Sequence, residues 1–186
     1  RRMAHTLSQA LAECGACVVS GLAYGVDCIA ALGALAAEDN PYPTVAVLGS
    51  GVDVVYPAAN RDIYAQIIAR GAVVSEFLPG TKALPSNFPM RNRIISGLSR
   101  GVLVVEAAAK SGTLITVDCA LEQGRDVFAL PGRITDPKSE GTNVLLREGH
   151  AKFTLSAEDV LEEYGGWRAV KAQTLSEPEN LSLEQA

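Results

Sequence analysis

The chain is 186 residues long, 48% hydrophobic and 20% charged, which is enough for one α/β domain with a full core. No apolar run reaches the roughly 18 residues that a membrane span needs, and Arg1-Arg2-Met3 leads straight into a mixed helix without a secretory signal, so the expected location is the cytoplasm with no membrane partner. The net charge of −5 argues against a generally basic nucleic-acid binder, so any site for an anionic polymer must be a local basic patch on an acidic body.

In chain order the pattern predicts a helix over Met3–Cys14 and a strand over Ala16–Ser20. A helix over Val26–Ala37, a strand over Thr44–Leu48, a helix over Asn60–Arg70 and a strand over Ala72–Glu76 follow. Next come a helix over Met90–Ser99, a strand over Gly101–Glu106, a helix over Gly112–Gln123 and a strand over Asp126–Leu130. The strands are rich in Val and uninterrupted by charge, the mark of strands buried on both faces of a parallel sheet. A helix over Thr142–Glu148, a short strand over Ala151–Thr154 and a helix over Ala157–Tyr164 close the series, with Ser156 and Asp159 spaced as a capping box. The alternation predicts an α/β, doubly wound, mostly parallel sheet of Rossmann type. Residues 1–165 are expected to form that domain and residues 166–186, with few apolar positions and no period, a tail or linker.

Cys14 and Cys17 form a C-x-x-C, but only His5 and His150 could join them and neither has metal-ligand spacing. The pair lies where a helix ends and a strand begins, not at a helix N-terminus, so the cysteines read as small apolar residues. Three strand ends run into glycine turns: Ser20-Gly21-Leu22-Ala23-Tyr24-Gly25, Gly49-Ser50-Gly51 and Lys110-Ser111-Gly112-Thr113. Such turns line the ligand crevice of an open α/β sheet, and free N–H groups at helix starts favour anions. A dinucleotide site fits poorly. Val54 stands where a third glycine is needed and Pro57 delays the next helix, although Glu76 sits where a ribose-binding acid is expected.

From Lys82 to Lys110 the chain carries Lys82, Arg91, Arg93, Arg100 and Lys110 against the single acid Glu106. In this stretch Arg91 and Arg93 can donate to phosphate oxygens and Phe88 can stack on an unpaired base. Spacing equally allows a Pro-rich connection whose Phe plugs the core and whose arginines cap strand ends. Asp27, Asp53, Glu76 and Glu106 fall near the same edge. Scattered acids of this kind more often cap turns or pair with arginines such as Arg61, Arg91 and Arg93 than cage a metal.

Ser20 to Asp27, Ala46 to Gly51, Val55-Tyr56-Pro57, Asn87-Phe88-Pro89 with Arg91-Asn92-Arg93 through Leu98, Glu106 through Ser111-Gly112 to Thr116, and Pro131-Gly132 resemble the DNA-processing protein A (DprA/Smf) family in order and spacing. The resemblance implies an extended Rossmann-like domain that binds single-stranded DNA with little sequence preference. It implies a part in natural transformation (competence) and recombination, loading of the RecA recombinase, and a homodimer. It implies no cofactor, no metal and no catalytic residue. By this resemblance the DNA groove comprises Ser20, Gly21, Ser50, Gly51, Lys82, Asn87, Phe88, Arg91, Asn92, Arg93, Ser111 and Gly112, with Lys110 added on charge. The family's first strand, which ends in a Gly-Ser-Arg turn, belongs ahead of Met3, and the sequence starts too late to contain it. Tyr24 and Ala31 stand where members often carry a basic residue and a His, and the helical and winged-helix domains that flank many members are not in this sequence.

The alternative is a nucleotide-processing enzyme of the phosphoribohydrolase type, which resembles this fold. It carries Gly-Gly-x-Gly-Thr-x-x-Glu, whereas here Lys110-Ser111 replaces the glycines and Thr116 the glutamate, and a threonine supplies no carboxylate for acid–base work. A third reading is a scaffold that contacts only the recombinase. Self-association finds some support in Val144, Leu145 and Leu146, which cannot all face one core, so one faces a partner or the final helix.

Overall fold

The computed structural model describes residues 1–165; the expected tail, 166–186, lies outside the described residues. The helices are α1 (Arg2–Glu13), α2 (Val26–Leu35), α3 (Arg61–Arg70), α4 (Asn87–Leu98), α5 (Gly112–Glu122), α6 (Glu140–Arg147) and α7 (Ala157–Glu162). The strands are β1 (Val18–Ser20), β2 (Thr44–Val47), β3 (Ala72–Val74), β4 (Gly101–Val104), β5 (Asp126–Ala129) and β6 (Lys152–Phe153). Each expected element is present, and the differences lie at the ends. β3 stops before Ser75 because the Ser75 hydroxyl donates to the Ser50 carbonyl at 2.6 Å, which turns the chain out of the ladder. α4 starts three residues earlier than the pattern suggested. Pro89 is its third residue, within the first turn, where a missing N–H costs nothing because that donor has no intrahelical partner. At α7 the capping box is complete: the Ser156 hydroxyl accepts from the Asp159 N–H at 3.3 Å and the Asp159 carboxylate accepts from the Ser156 N–H at 3.0 Å.

All strand pairs are parallel, as a doubly wound fold requires, but they form two three-stranded sheets, β1-β2-β3 and β4-β5-β6. Alternate residues of β2 separate its two faces. Ala46, with Leu48 just beyond, packs on Ala31 and Leu35 of α2 and Ile67 of α3, while the Val47 carbonyl meets α4. In the second sheet Val104, Val127 and Ala129 pack on Val117 and Ala120 of α5 and Leu145 of α6. Its other face meets Leu7 of α1 and Ala157 of α7. α1 on one side and α4 on the other therefore bridge the two sheets.

Between β1 and β4 lies a slot of about 920 Å³, lined along its length by Val18 to Gly21 on one wall and Gly101 to Ala107 on the other. Neither strand pairs with another on that side among the described residues. The slot explains why one sheet appears as two. A parallel strand that entered α1 by a right-handed crossover would occupy this position, the place the resemblance gives the family's first strand.

α1 and α2 approach closely at Gly33, where a Cβ would stand 2.4 Å from the His5 carbonyl oxygen. In an open helix Gly→Ala gains up to about 1 kcal/mol, whereas overpacking against fixed backbone costs about 1–3 kcal/mol. Gly33→Ala is therefore expected to lower the urea midpoint, and an unchanged or raised midpoint would contradict the close approach.

Candidate nucleic-acid interface

Parallel strands place all their C-terminal ends on one edge, and the order in which helices change face puts the switch point at the slot between β1 and β4. Ligands of doubly wound sheets sit outside the strand ends at such a point. Here the turn after β1 faces the turn before α5. α2 begins after Gly25, which holds a φ of +96° open only to glycine, and α5 begins at Ser111, whose hydroxyl accepts from the Thr113 N–H at 3.2 Å. No atom occupies the space where a Cβ would stand on Gly25 or Gly112, so both helix starts are open to an approaching anion. The Ser20 hydroxyl is buried beside them without a hydrogen-bond partner.

Two residues hold the β1 turn, the half-buried Asp27 and the buried Arg91. The Asp27 carboxylate accepts from the N–H groups of Gly21 at 3.1 Å and Ala23 at 3.2 Å. Arg91 of α4 is 3% exposed; its Nη1 donates to the Gly21 carbonyl at 2.8 Å and to the Val47 carbonyl, and its Nε donates to the Asn92 side chain at 3.2 Å. A Cβ on Gly21 would lie 2.6 Å from Arg91 Nη2, so glycine there is what admits the guanidinium. Burial pushes the Asp27 carboxyl up, against the pull of the Ala23 amide, the Arg91 charge and the Gly21 amide. Burial likewise lowers Arg91, against the pull of Asp27.

The expected site residues thus divide into two groups. Arg91, read as a phosphate donor, is instead buried as a clamp on backbone carbonyls, the strand-end cap that the spacing also allowed. Asn87 is buried and donates to the Gly49 carbonyl at 2.9 Å, and the buried Ser50 hydroxyl donates to the Val54 carbonyl at 2.9 Å. Gly51 lets the Leu78 carbonyl come within 2.6 Å of where its Cβ would be. These residues, with Gly21 and Ser20, shape the edge. Lys82, Lys110, Arg93 and Gly112 are exposed, and Phe88, Asn92 and Ser111 are half-buried. Arg93 pairs with Glu76, and Asn92 reaches the Gly112 carbonyl at 3.5 Å, tying α4 to the start of α5. Of the four acids near this edge, three are committed to turns or to an arginine: Asp27 and Glu76 as described, and Asp53, which accepts from the Gly80 N–H at 2.7 and 2.9 Å. Among the described residues no group of three His, Cys, Asp or Glu is placed to hold a metal ion.

Phe88 does not plug the core. It lies over Gly49, where a Cβ would come within 2.8 Å of its ring, and stacks at 5.6 Å and 31° on Tyr56. The two rings, with Tyr24, Leu48 and Pro57, line a small apolar pocket of about 130 Å³ beside the β1 turn. Tyr24 is 69% and Tyr56 46% exposed. Sequence reading missed both. The available signal was their position inside two glycine-rich strand-end turns, where an exposed aromatic has no packing role.

A model of the family described as DNA recombination-mediator protein A matches residues 1–165. The chain is 50% identical to the DNA processing protein DprA of Streptococcus pneumoniae over 147 residues, covering 79% of this chain and 51% of that protein. It is 46% identical to the Smf protein of Escherichia coli over 162 residues, covering 87% of this chain and 42% of that protein. It thus spans about half the length of these curated relatives. Among solved structures, DprA from S. pneumoniae superposes with a TM-score of 0.79 at 45% identity, covering 87% of this chain and 56% of that one. DNA processing protein A from Helicobacter pylori, described for its single-stranded DNA binding mode, superposes with a TM-score of 0.77 at 31% identity, covering 88% of this chain and 72% of that one.

The Asp27 geometry predicts a pH dependence. Its folded carboxyl titrates above the ordinary value of about 3.9, so the folded state holds this proton more tightly than the unfolded chain. The resulting contribution is complete below the unfolded value and is lost as pH rises through the folded one. Asp27→Asn does not titrate. The stability margin of the native protein over this variant, measured by urea denaturation, is expected to be wider near pH 4 than near pH 7. A margin that is constant or grows with pH would contradict the assignment.

Proposed function

The chain belongs to the DNA recombination-mediator protein A family, and from that premise we propose that it binds single-stranded DNA across the strand-end edge and catalyses no reaction there. The observation that carries this reading is the half-exposed Phe88–Tyr56 stack in a small apolar pocket next to open glycine turns. An aromatic face stacks on any unpaired base, and backbone N–H groups with Arg93 and Lys82 donate to phosphate oxygens without reading sequence. The single-stranded DNA binding mode described for the H. pylori protein supports the same ligand class. Asp27, Asp53 and Glu76 are committed to turns and to Arg93, which favours binding over acid–base chemistry. In the cell the proposed role is to hold single-stranded DNA during natural transformation and recombination and to pass it to the RecA recombinase, in the cytoplasm and without a cofactor. The working unit proposed is residues 1–165.

We also propose that two copies pair through α6 and β6. Leu145 is buried in the core while Val144 and Leu146 are half-buried, and Phe153 and Leu155 next to them are 60% and 59% exposed. Exposed apolar side chains on an edge strand suit a self-complementary two-fold contact.

Single-stranded oligonucleotides are expected to bind more tightly than matched duplexes at one salt concentration; equal affinities would overturn the reading. Phe88→Ala is expected to weaken single-strand binding by about 1–3 kcal/mol, roughly five- to 150-fold. For the pairing, light scattering at micromolar concentration is expected to give a dimer mass for the native chain and a monomer mass for Phe153→Asp. A monomeric native protein would refute it.

A further inference from the structure

We infer that the exit loop of β5 carries a second phosphate-binding station, so that the bound strand crosses the slot rather than stopping at Phe88. The inference rests on the proposed single-strand binding and extends the path beyond the glycine turns and the Arg-Asn-Arg helix.

The loop from Pro131 to Ser139 leaves the same edge of the sheet and is held in place. The Asn143 side chain brackets Gly132, accepting from its N–H and donating to its carbonyl, both at 3.1 Å. The Ala107 N–H, at the end of β4, donates to the Lys138 carbonyl at 2.8 Å, and the Gly141 N–H donates to the Ala107 carbonyl at 2.8 Å. These bonds fix Lys138 at the rim of the slot, which it lines. Arg133 and Lys138 are exposed, as is Lys110 on the adjoining turn. Among the described residues none of the three has a carboxylate within ion-pair distance. The loop's own acid, Asp136, is exposed and accepts from the Lys138 N–H at 3.0 Å. Three acids, Asp136, Glu106 and Glu140, lie on this side with the three cations, and among the described residues none is within ion-pair distance of them.

The placement of unpaired cations is what points across the slot. Among the described residues Arg93 is paired with Glu76 and Lys82 has no ion-pair partner near Phe88, whereas Lys110, Arg133 and Lys138, likewise without one, stand beyond β4. With strands about 4.8 Å apart and one strand's width at the slot, the ends of β2 and β5 are separated by about 19 Å. A dinucleotide seated on Phe88 does not span that distance, and a longer strand does.

The test measures anisotropy of labelled oligo-dT of about two and about sixteen nucleotides, the longer at the upper end of the site sizes of single-strand-binding domains. It compares the native chain with the double variant Arg133→Ala/Lys138→Ala. Neither side chain holds the fold, so an unchanged urea midpoint is the control. The expected result is unaltered affinity for the short strand and several-fold weaker binding of the long one. The slope of log K against log salt for the long strand should also fall by about 1.4, at about 0.7 per lost phosphate contact. Native-like binding of the long strand by the double variant, or equal losses for both lengths, overturns the second station. Failure of the native chain to bind either oligonucleotide would instead overturn the single-strand reading on which it rests.

Discussion

The arrangement of the edge depends on a single guanidinium. Arg91 enters from α4 and ties the carbonyl after β1 to the carbonyl ending β2, while Asp27 holds the amides of the same β1 turn from the opposite side. A buried charge is tolerated only when it is hydrogen-bonded and compensated, and here both conditions are met by backbone and by one carboxylate. The pair fixes where α4 lies across the first sheet. That position sets Asn87 against Gly49, Phe88 over the same glycine, and Asn92 against the start of α5. The turns that face a ligand are in place because a residue that does not face it is locked.

This is why the most basic motif in the chain contributes less charge to the surface than its letters suggest. In Arg91-Asn92-Arg93 one arginine is interior, the asparagine bridges two helices, and the other arginine is paired with Glu76. Glycine serves the same end in a different way. Gly21 and Gly49 are required less for backbone freedom than for the room they leave, one for a guanidinium and the other for an aromatic ring.

Periodicity and strand composition made the order of elements legible, because strands buried on both faces leave an unbroken Val-rich run and amphipathic helices leave theirs. The capping box at Ser156 and the committed roles of Asp27, Asp53 and Glu76 were also readable from position. What could not be read was depth. An arginine at a helix start has the same letter whether it faces a phosphate or two carbonyls 44 and 70 residues away. The start of α4 was missed because Pro89 reads as a breaker unless its place in the first turn is known. Tyr24 and Tyr56 were missed because an aromatic in a loop becomes a surface only when a distant segment, here Phe88, is folded beside it.

The shortness of the outermost strands has a consequence for how the molecule behaves in a crowd. Unpaired strand edges are where chains adhere to one another, and long flat ones seed aggregates. Among the described residues the edges of β1 and β4 that lack a partner face each other across the slot, between α1 and α4, and not outward. The edges that do face outward belong to β3, of three residues, and β6, of two, the latter led by Lys152. Outermost strands this short present little ladder for a neighbouring chain to extend.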